Sequence, residues 1–235
     1  HGGAFGSRGG YRPSKEELET ENIDAVAIGA ATNLDRHIRN MAGFGVPVIV
    51  SINKFASDTD GEIKALSDAA HASGAKAVTI TEVHAKGGEG GEDLAKAVVK
   101  AVQDHVAAGR PFTPLFVDDA SVMEKVEAIA TRMYKAKEVQ VETSAKKQLD
   151  KIISWGYGNL PVCMAKTQYS FSHDAGKLGA PSDFTLPVRE FRLNSGAGFI
   201  VAILGNMMTM PGLPKRPAAI DMDMDDDGNQ TGIFG

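Results

Sequence analysis

Apolar residues along this chain repeat with two different periods. In residues 14–43, "SKEE" (Ser14–Glu17) is a capping-box pattern. Ala27, Ala30, Ala31, Leu34, Ile38 and Met41 then recur every three or four residues, which predicts a helix with one apolar face, ended by Gly43 and Gly45. "VPVIVSI" (46–52) changes to a continuous β-branched run, the pattern of a parallel strand covered on both faces. A second helix follows through Ile63, Leu66, Ala69 and Ala70, closed by Ser73-Gly74, and "AVTI" (77–80) is a second short strand. After "TEVHAKGGEGG", residues Leu94, Val98, Val102 and Val106 line up along a third helix and predict its buried face.

"GRPFTPLF" (109–116) interrupts this alternation as a connection between layers. An amphipathic helix is expected over 121–134 through Val122, Val126, Ile129, Ala130 and Met133, and another over 144–156. "LPVCMAKTQYSFS" (160–172) begins as a buried strand and turns into polar donors at Lys166. Beyond it lie the alternating stretch "FTLPVREFRL" (184–193) and the apolar run "GFIVAIL" (198–204), and no repeat of 20–50 residues is present. The order predicts an α/β fold: a parallel βα sheet portion followed by a mixed α/β C-terminal region.

Composition narrows the function classes. At 43% hydrophobic and 23% charged residues, the chain has the makeup of a folded domain rather than a disordered one. A formal net charge of −5 and a pI near 5.7 give no overall attraction to nucleic acid or anionic membrane. Cys163 is the single cysteine, which leaves no intrachain disulfide and no multi-cysteine zinc site; its apolar surroundings predict a buried, inert thiol. No apolar run reaches the ~18 residues of a membrane span and no signal peptide is visible, so the expected compartment is the cytoplasm. The glycine-rich opening "HGGAFGSRGGY" reads as a flexible tail or as a loop of a longer polypeptide.

Several motifs resemble known chemistry and fall short of it. "SINKFASD" suggests a guanine-reading Asn-Lys-x-Asp, but Ala56 stands where the carboxylate belongs, and no G-x-x-x-x-G-K-[ST] occurs in the chain. "AKGGEGG" (85–91) precedes a helix and offers amides to an anion, although Glu89 and Glu92 oppose one and a tight turn is the better reading of the glycines. "NSGAGFIV" (194–201) has Val201 in place of the third glycine of a dinucleotide fingerprint. "DMDMDDDGNQTGIF" (221–234) spaces its acids like a calcium loop, but Phe234 occupies the position of the bidentate acid, so a solvated acidic turn is expected and no metal site. His37, His71 and His105 lie on predicted helices without ligand partners, whereas His84 follows a strand end, where open parallel sheets place binding crevices.

Three stretches carry a family resemblance: "GVPVIVSINKFASDTD", "LPVCMAKTQYSFS" and "GAGFIVAILGNMMTMPGLPKRPAA". They resemble signature stretches of formate–tetrahydrofolate ligase, and the likeness runs from "HGG" to "DGNQTGIF", across essentially the whole chain. The resemblance implies an ATP-dependent ligase. Formate is phosphorylated to formyl phosphate, N10 of tetrahydrofolate attacks the formyl carbon, and ADP, phosphate and 10-formyltetrahydrofolate leave. ATP with Mg2+, tetrahydrofolate and a monovalent cation (K+ or NH4+) are the cofactors and substrates it implies, with formate, in a cytoplasmic homotetramer. Family members are more than twice as long, and their N-terminal half holds the P-loop. Residues 1–40 are therefore expected to be the tail of the nucleotide-binding domain, and residues 41–235 a C-terminal α/β domain supplying folate and adenine contacts. On this reading an isolated fragment is inactive and carries no catalytic residue of its own.

By resemblance, the folate-binding set is Phe55, Ala56, Ile80 and His84, with the pterin ring held between two aromatic groups. His84 stands where the family usually has Trp, and Ala56 where Pro is frequent. Leu178, Ala180 and Pro181 of "KLGAP" match the adenine contact. Lys166, Thr167, Gln168 and Tyr169 are expected either to face the nucleotide–folate cleft or to form a structural network joining layers of the domain. The alternative function is a non-catalytic folate- or nucleotide-binding or assembly chain.

Overall fold

A computed structural model describes residues 20–205, 216–226, 228, 230 and 231. The capping pattern at Ser14–Glu17, the glycine-rich opening and residues 206–215 of the third signature lie outside the described residues. Residues 1–205 and 206–235 form two separate units.

The first unit opens with a helical rod made of α1 (Ile23–Gly29), a π-turn (Ala30–Leu34) and α2 (Asp35–Ala42). Asn22 caps it by accepting from the Ala25 N–H at 2.9 Å. The apolar face differs from the expected one. Ala25, Val26, Ala30 and Ile38 are buried, whereas Ala27, Ala31 and Met41 are exposed. The π-turn inserts a residue into the helical period and shifts the phase of everything after it.

Strand β1 (Ile49–Asn53) pairs in parallel with β2 (Ala77–Thr81), and α3 (Asp60–Ala72) crosses between them. Thr59 and Glu62 form a reciprocal capping box at the start of α3. Ile38, Ala70 and Ala75 form one core cluster with Leu34, Val48, Val50 and Val78 against it, so packing is continuous across residue 40. After β2 come the single turn α4 (Val83–Lys86), a 3-10 segment (Gly87–Gly91) and α5 (Glu92–Ala107). Helix α5 buries Ala101 and leaves Val98, Val102 and Val106 exposed, contrary to the predicted face. The reason is geometric. Each four-residue step advances about 40° around a helix, so Val106 stands about 120° from Leu94.

The larger core belongs to the second half. Helix α6 (Val122–Ala128) and its π-turn (Ile129–Met133) bury Val122, Val126 and Ala130 on the predicted face. Helix α7 (Thr143–Ser154) adds Ala145, Leu149 and Ile152 to the same core. These helices pack with β3 (Glu138–Val141) paired in parallel to β5 (Thr185–Val188), and with the sheet β4-β7-β6. In that sheet β7 (Phe199–Ile203) runs parallel to β4 (Val162–Ala165) and antiparallel to β6 (Glu190–Asn194). The stretch 184–193 thus breaks at Arg189 into strands of two different sheets. Cys163 is exposed rather than buried. It lies on an edge strand whose neighbours Val162 and Met164 pack against the core, and alternation turns Cys163 to the uncovered face.

The architecture is α/β with parallel and mixed sheets, and among the described residues no helix is long and apolar enough to cross a membrane. In the second unit, β8 (Asp223–Met224) and β9 (Gln230–Thr231) form an antiparallel pair, with Asp223, Asp225 and Asp226 exposed around the turn.

Candidate functional site

The parallel register sets the site. Ile49 to Asn53 pair with Ala77 to Thr81, so both strands end at the same edge. The Lys54 N–H donates to the Thr81 carbonyl at 3.0 Å, which fixes the first loop residue after β1 against the end of β2. Beneath them Thr81, itself buried, donates its hydroxyl to the Ile52 carbonyl at 3.2 Å and lies 3.0 Å from the Ser51 hydroxyl.

The β1 loop is a tight turn. The Phe55 N–H donates to the Asp58 carboxylate at 2.8 Å, and the Asp58 N–H donates back to the Phe55 carbonyl at 3.1 Å. A turn held from both ends presents the Phe55 ring to solvent, 63% exposed. Ala56 beside it is also exposed. The ring is thereby held at the surface beside the end of β1, where it is free to meet a neighbour.

The β2 loop is built differently. His84 is exposed on the single turn α4, and Ile80 and Val83 are exposed beside it. The glycine cluster folds back on this turn: the Glu82 N–H donates to the Gly90 carbonyl at 3.1 Å. A Cβ on Gly90 would lie 2.6 Å from both the carbonyl carbon and oxygen of Glu82, so only glycine permits the approach. Gly90 is therefore packed closely against the start of the turn that carries His84, whereas Gly87 and Gly88 have open space around them. Lys86 pairs with Glu82 at 2.6 Å and holds that carboxyl below its ordinary range, with Lys54 adding to the effect.

A cavity of about 540 Å³ opens beside β1, between the helical rod and α3. Val50, Asn53, Phe55, Asp58, His37 and Glu62 are among the residues lining it. The structure thus brings Phe55, Asn53 and Asp58 to one cavity, and places Ile80 and His84 at the same sheet edge without lining it.

The polar end of 160–172 largely turns inward. Lys166 donates to the carbonyls of Thr167, at 2.9 Å, and Ser170. Its ammonium lies 5.4 Å from the Tyr134 ring centroid and 5.7 Å from that of Phe171. Burial lowers the Lys166 pKa, and burial together with Lys166 lowers that of His37, whose ring is 4.7 Å from Phe171. Burial, with Cys163 adding to it, pushes the Tyr134 phenol up to about 12. Thr167 is buried and its hydroxyl accepts from the Tyr169 N–H at 3.3 Å, while Gln168 and Tyr169 are exposed. Leu178 and Pro181 are half-buried near a parallel bridge between Ser170 and Gly179. The Ala180 carbonyl accepts from Arg36 at 3.3 Å.

Arg36, His37, Tyr134 and Phe171 form a cluster around Lys166 that sequence reading passed over. The available signal was weak: Arg36 and Asn40 are long donors at i and i+4, on one flank of a helix otherwise read by its apolar stripe. The sequence model of the formate–tetrahydrofolate ligase family matches residues 1–234. The chain belongs to the formate–tetrahydrofolate ligase family.

Proposed function

We propose that this sequence supplies the folate- and adenine-facing wall of an ATP-dependent formate–tetrahydrofolate ligase. The observation that carries the reading is the common edge of β1 and β2, where an exposed Phe55 and the His84 turn leave side by side. Phe55 stacks on one face of the pterin, His84 takes the other, and Ala56 and Ile80 complete the apolar walls. Leu178, Ala180 and Pro181 contact adenine, and the exposed Gln168 and Tyr169 face the cleft. Catalysis then rests on holding N10 against formyl phosphate rather than on a protein nucleophile.

No G-x-x-x-x-G-K-[ST] occurs among these 235 residues, so the proposed role is confined to the folate- and adenine-facing contacts. Among the described residues no group of three or more His, Cys, Asp or Glu side chains converges on a point. In this reading Mg2+ is carried by the nucleotide phosphates, as it commonly is.

The test is Phe55→Ala in the active ligase carrying this sequence. Because the ring is 63% exposed, unfolding should be unchanged, while KM for tetrahydrofolate should rise about tenfold from the lost stacking and apolar contact. An unaltered KM for tetrahydrofolate would remove Phe55 from the pterin site.

A further inference from the structure

One side chain of α2 reaches across to the C-terminal segment. Arg36 donates one N–H to the Tyr134 carbonyl and another to the Ala180 carbonyl, both at 3.3 Å. Its guanidinium also lies 5.5 Å from the centroid of the Phe171 ring, which is buried. Asn40, one turn further along, donates to the Met133 carbonyl at 3.0 Å. The Met133 and Tyr134 carbonyls end a helix, where no intrahelical donor exists, and a cation complements the helix dipole there. That much is structural capping.

The bond to Ala180 is different in kind. Residues around 174–184 are irregular, joined to the rest by the Ser170–Gly179 bridge and by the Asp183 N–H donating to the Lys135 carbonyl at 3.0 Å. The Ala180 carbonyl lies between these ties and takes its bond from a side chain 144 positions earlier. The planar fork of Arg serves two carbonyls in fixed directions at once, which the point charge of Lys does not.

We propose that Arg36 is a positioning residue for the nucleotide: by holding the Ala180 carbonyl it sets the Leu178–Pro181 backbone against which adenine packs, without touching ATP itself. This rests on the reading of Leu178, Ala180 and Pro181 as adenine contacts. Without the fork the segment is in its binding-competent form for only a fraction of the time, and the apparent affinity for ATP falls by that fraction. Once ATP is bound the segment is set, so kcat and the affinity for tetrahydrofolate are left alone.

Steady-state kinetics of the active ligase carrying Arg36→Gln, Arg36→Lys or Leu178→Ala test this. Arg36→Gln should raise KM for ATP about three- to tenfold, with kcat and KM for tetrahydrofolate held within about twofold. Arg36→Lys, which keeps the charge over Phe171 and reaches one carbonyl, should fall between Gln and wild type; it carries the test alone if the Gln variant fails to fold. A raised KM for ATP in Leu178→Ala with none in either Arg36 variant overturns the positioning role only. An unchanged KM for ATP in Leu178→Ala removes the adenine reading and the proposal with it. Parallel losses in kcat and both KM values on changing Arg36 also overturn it, since they mark a side chain that serves the fold alone.

Discussion

Replacing Lys166 with Met withdraws an ammonium from inside its own turn. The group donates to the Thr167 and Ser170 carbonyls and lies against the Tyr134 and Phe171 rings. Hydrogen bonds from a charged donor contribute about 1.5–3 kcal/mol, and a half-exposed cation–π contact about 0.5–1 kcal/mol. Opposing this, the lowered pKa of Lys166 shows that the ammonium is partly deprived of water, a cost the thioether avoids. The turn it leaves behind is buried at Ser170, Phe171 and Ser172, so water does not freely replace the lost donor. An unsatisfied buried carbonyl costs about 1–3 kcal/mol, and the balance is a loss of about 2 kcal/mol.

In a chain of this length about 2 kcal/mol lowers Tm by roughly 4–8 °C. Denaturant unfolding should show a lower midpoint with an unchanged slope, because the surface exposed on unfolding is the same. In the active ligase, KM for ATP and for tetrahydrofolate should stay within about threefold, since the ammonium points into the turn. The opposite pattern, native stability with a large rise in either KM, would refute this reasoning and place the Lys166 charge on a ligand.

Other consequences follow from the same geometry. His84→Trp should tighten tetrahydrofolate binding about threefold to tenfold, because indole offers more stacking area than imidazole; equal or weaker binding by titration counts against His84 on the pterin. Gly90→Ala forces a Cβ to within 2.6 Å of the Glu82 carbonyl group, so overpacking should cost about 1–3 kcal/mol and speed amide exchange through 82–91; exchange like wild type would contradict the close approach. His37 has a folded pKa below its ordinary 6.5, through burial first and Lys166 second. The unfolded imidazole therefore takes up its proton first: stability is full above pH 6.5, declines as pH falls toward the folded pKa, and declines no further from this group below it. His37→Gln should flatten that stretch of the stability–pH curve, and an identical slope in the variant would show that another group titrates there.

The strand edge from which Phe55 and His84 follow was more legible in the sequence than the helix faces around it. Phe55 and His84 each follow a short β-branched strand in a βα order, and parallel strands must end at one edge, so their neighbourhood follows from topology. The valines of α5 misled because four-residue spacing drifts around a helix, and the face that packs is centred on Ala101 instead. Cys163 misled because the letters of an edge strand and a central strand look alike when one neighbour on each side is apolar. Lys166 posed a harder problem. A run of donors after a strand reads the same whether they meet a ligand or the carbonyls of their own turn, and only the backbone path distinguishes the two.

The two π-turns explain why the Lys166 cluster escaped a reading by period. Each has Thr at its third position, and each hydroxyl donates to the carbonyl four residues back: Thr32 to Ile28 at 2.9 Å, Thr131 to Glu127 at 2.7 Å. Such back-bonding competes with the regular helical ladder and favours the wider turn. An extra residue rotates the following helix by about 100°. In the first rod this turns Ile38 to the core and brings Arg36 and Asn40 to the flank facing 133–134. In the second it ends the helix at Met133 with carbonyls open to those donors. Two local departures from the α-helical period thus meet at one contact. The resulting join links the rod that lines the Phe55 cavity to the segment holding Ala180, through hydrogen bonds that neither stretch of sequence reveals by itself.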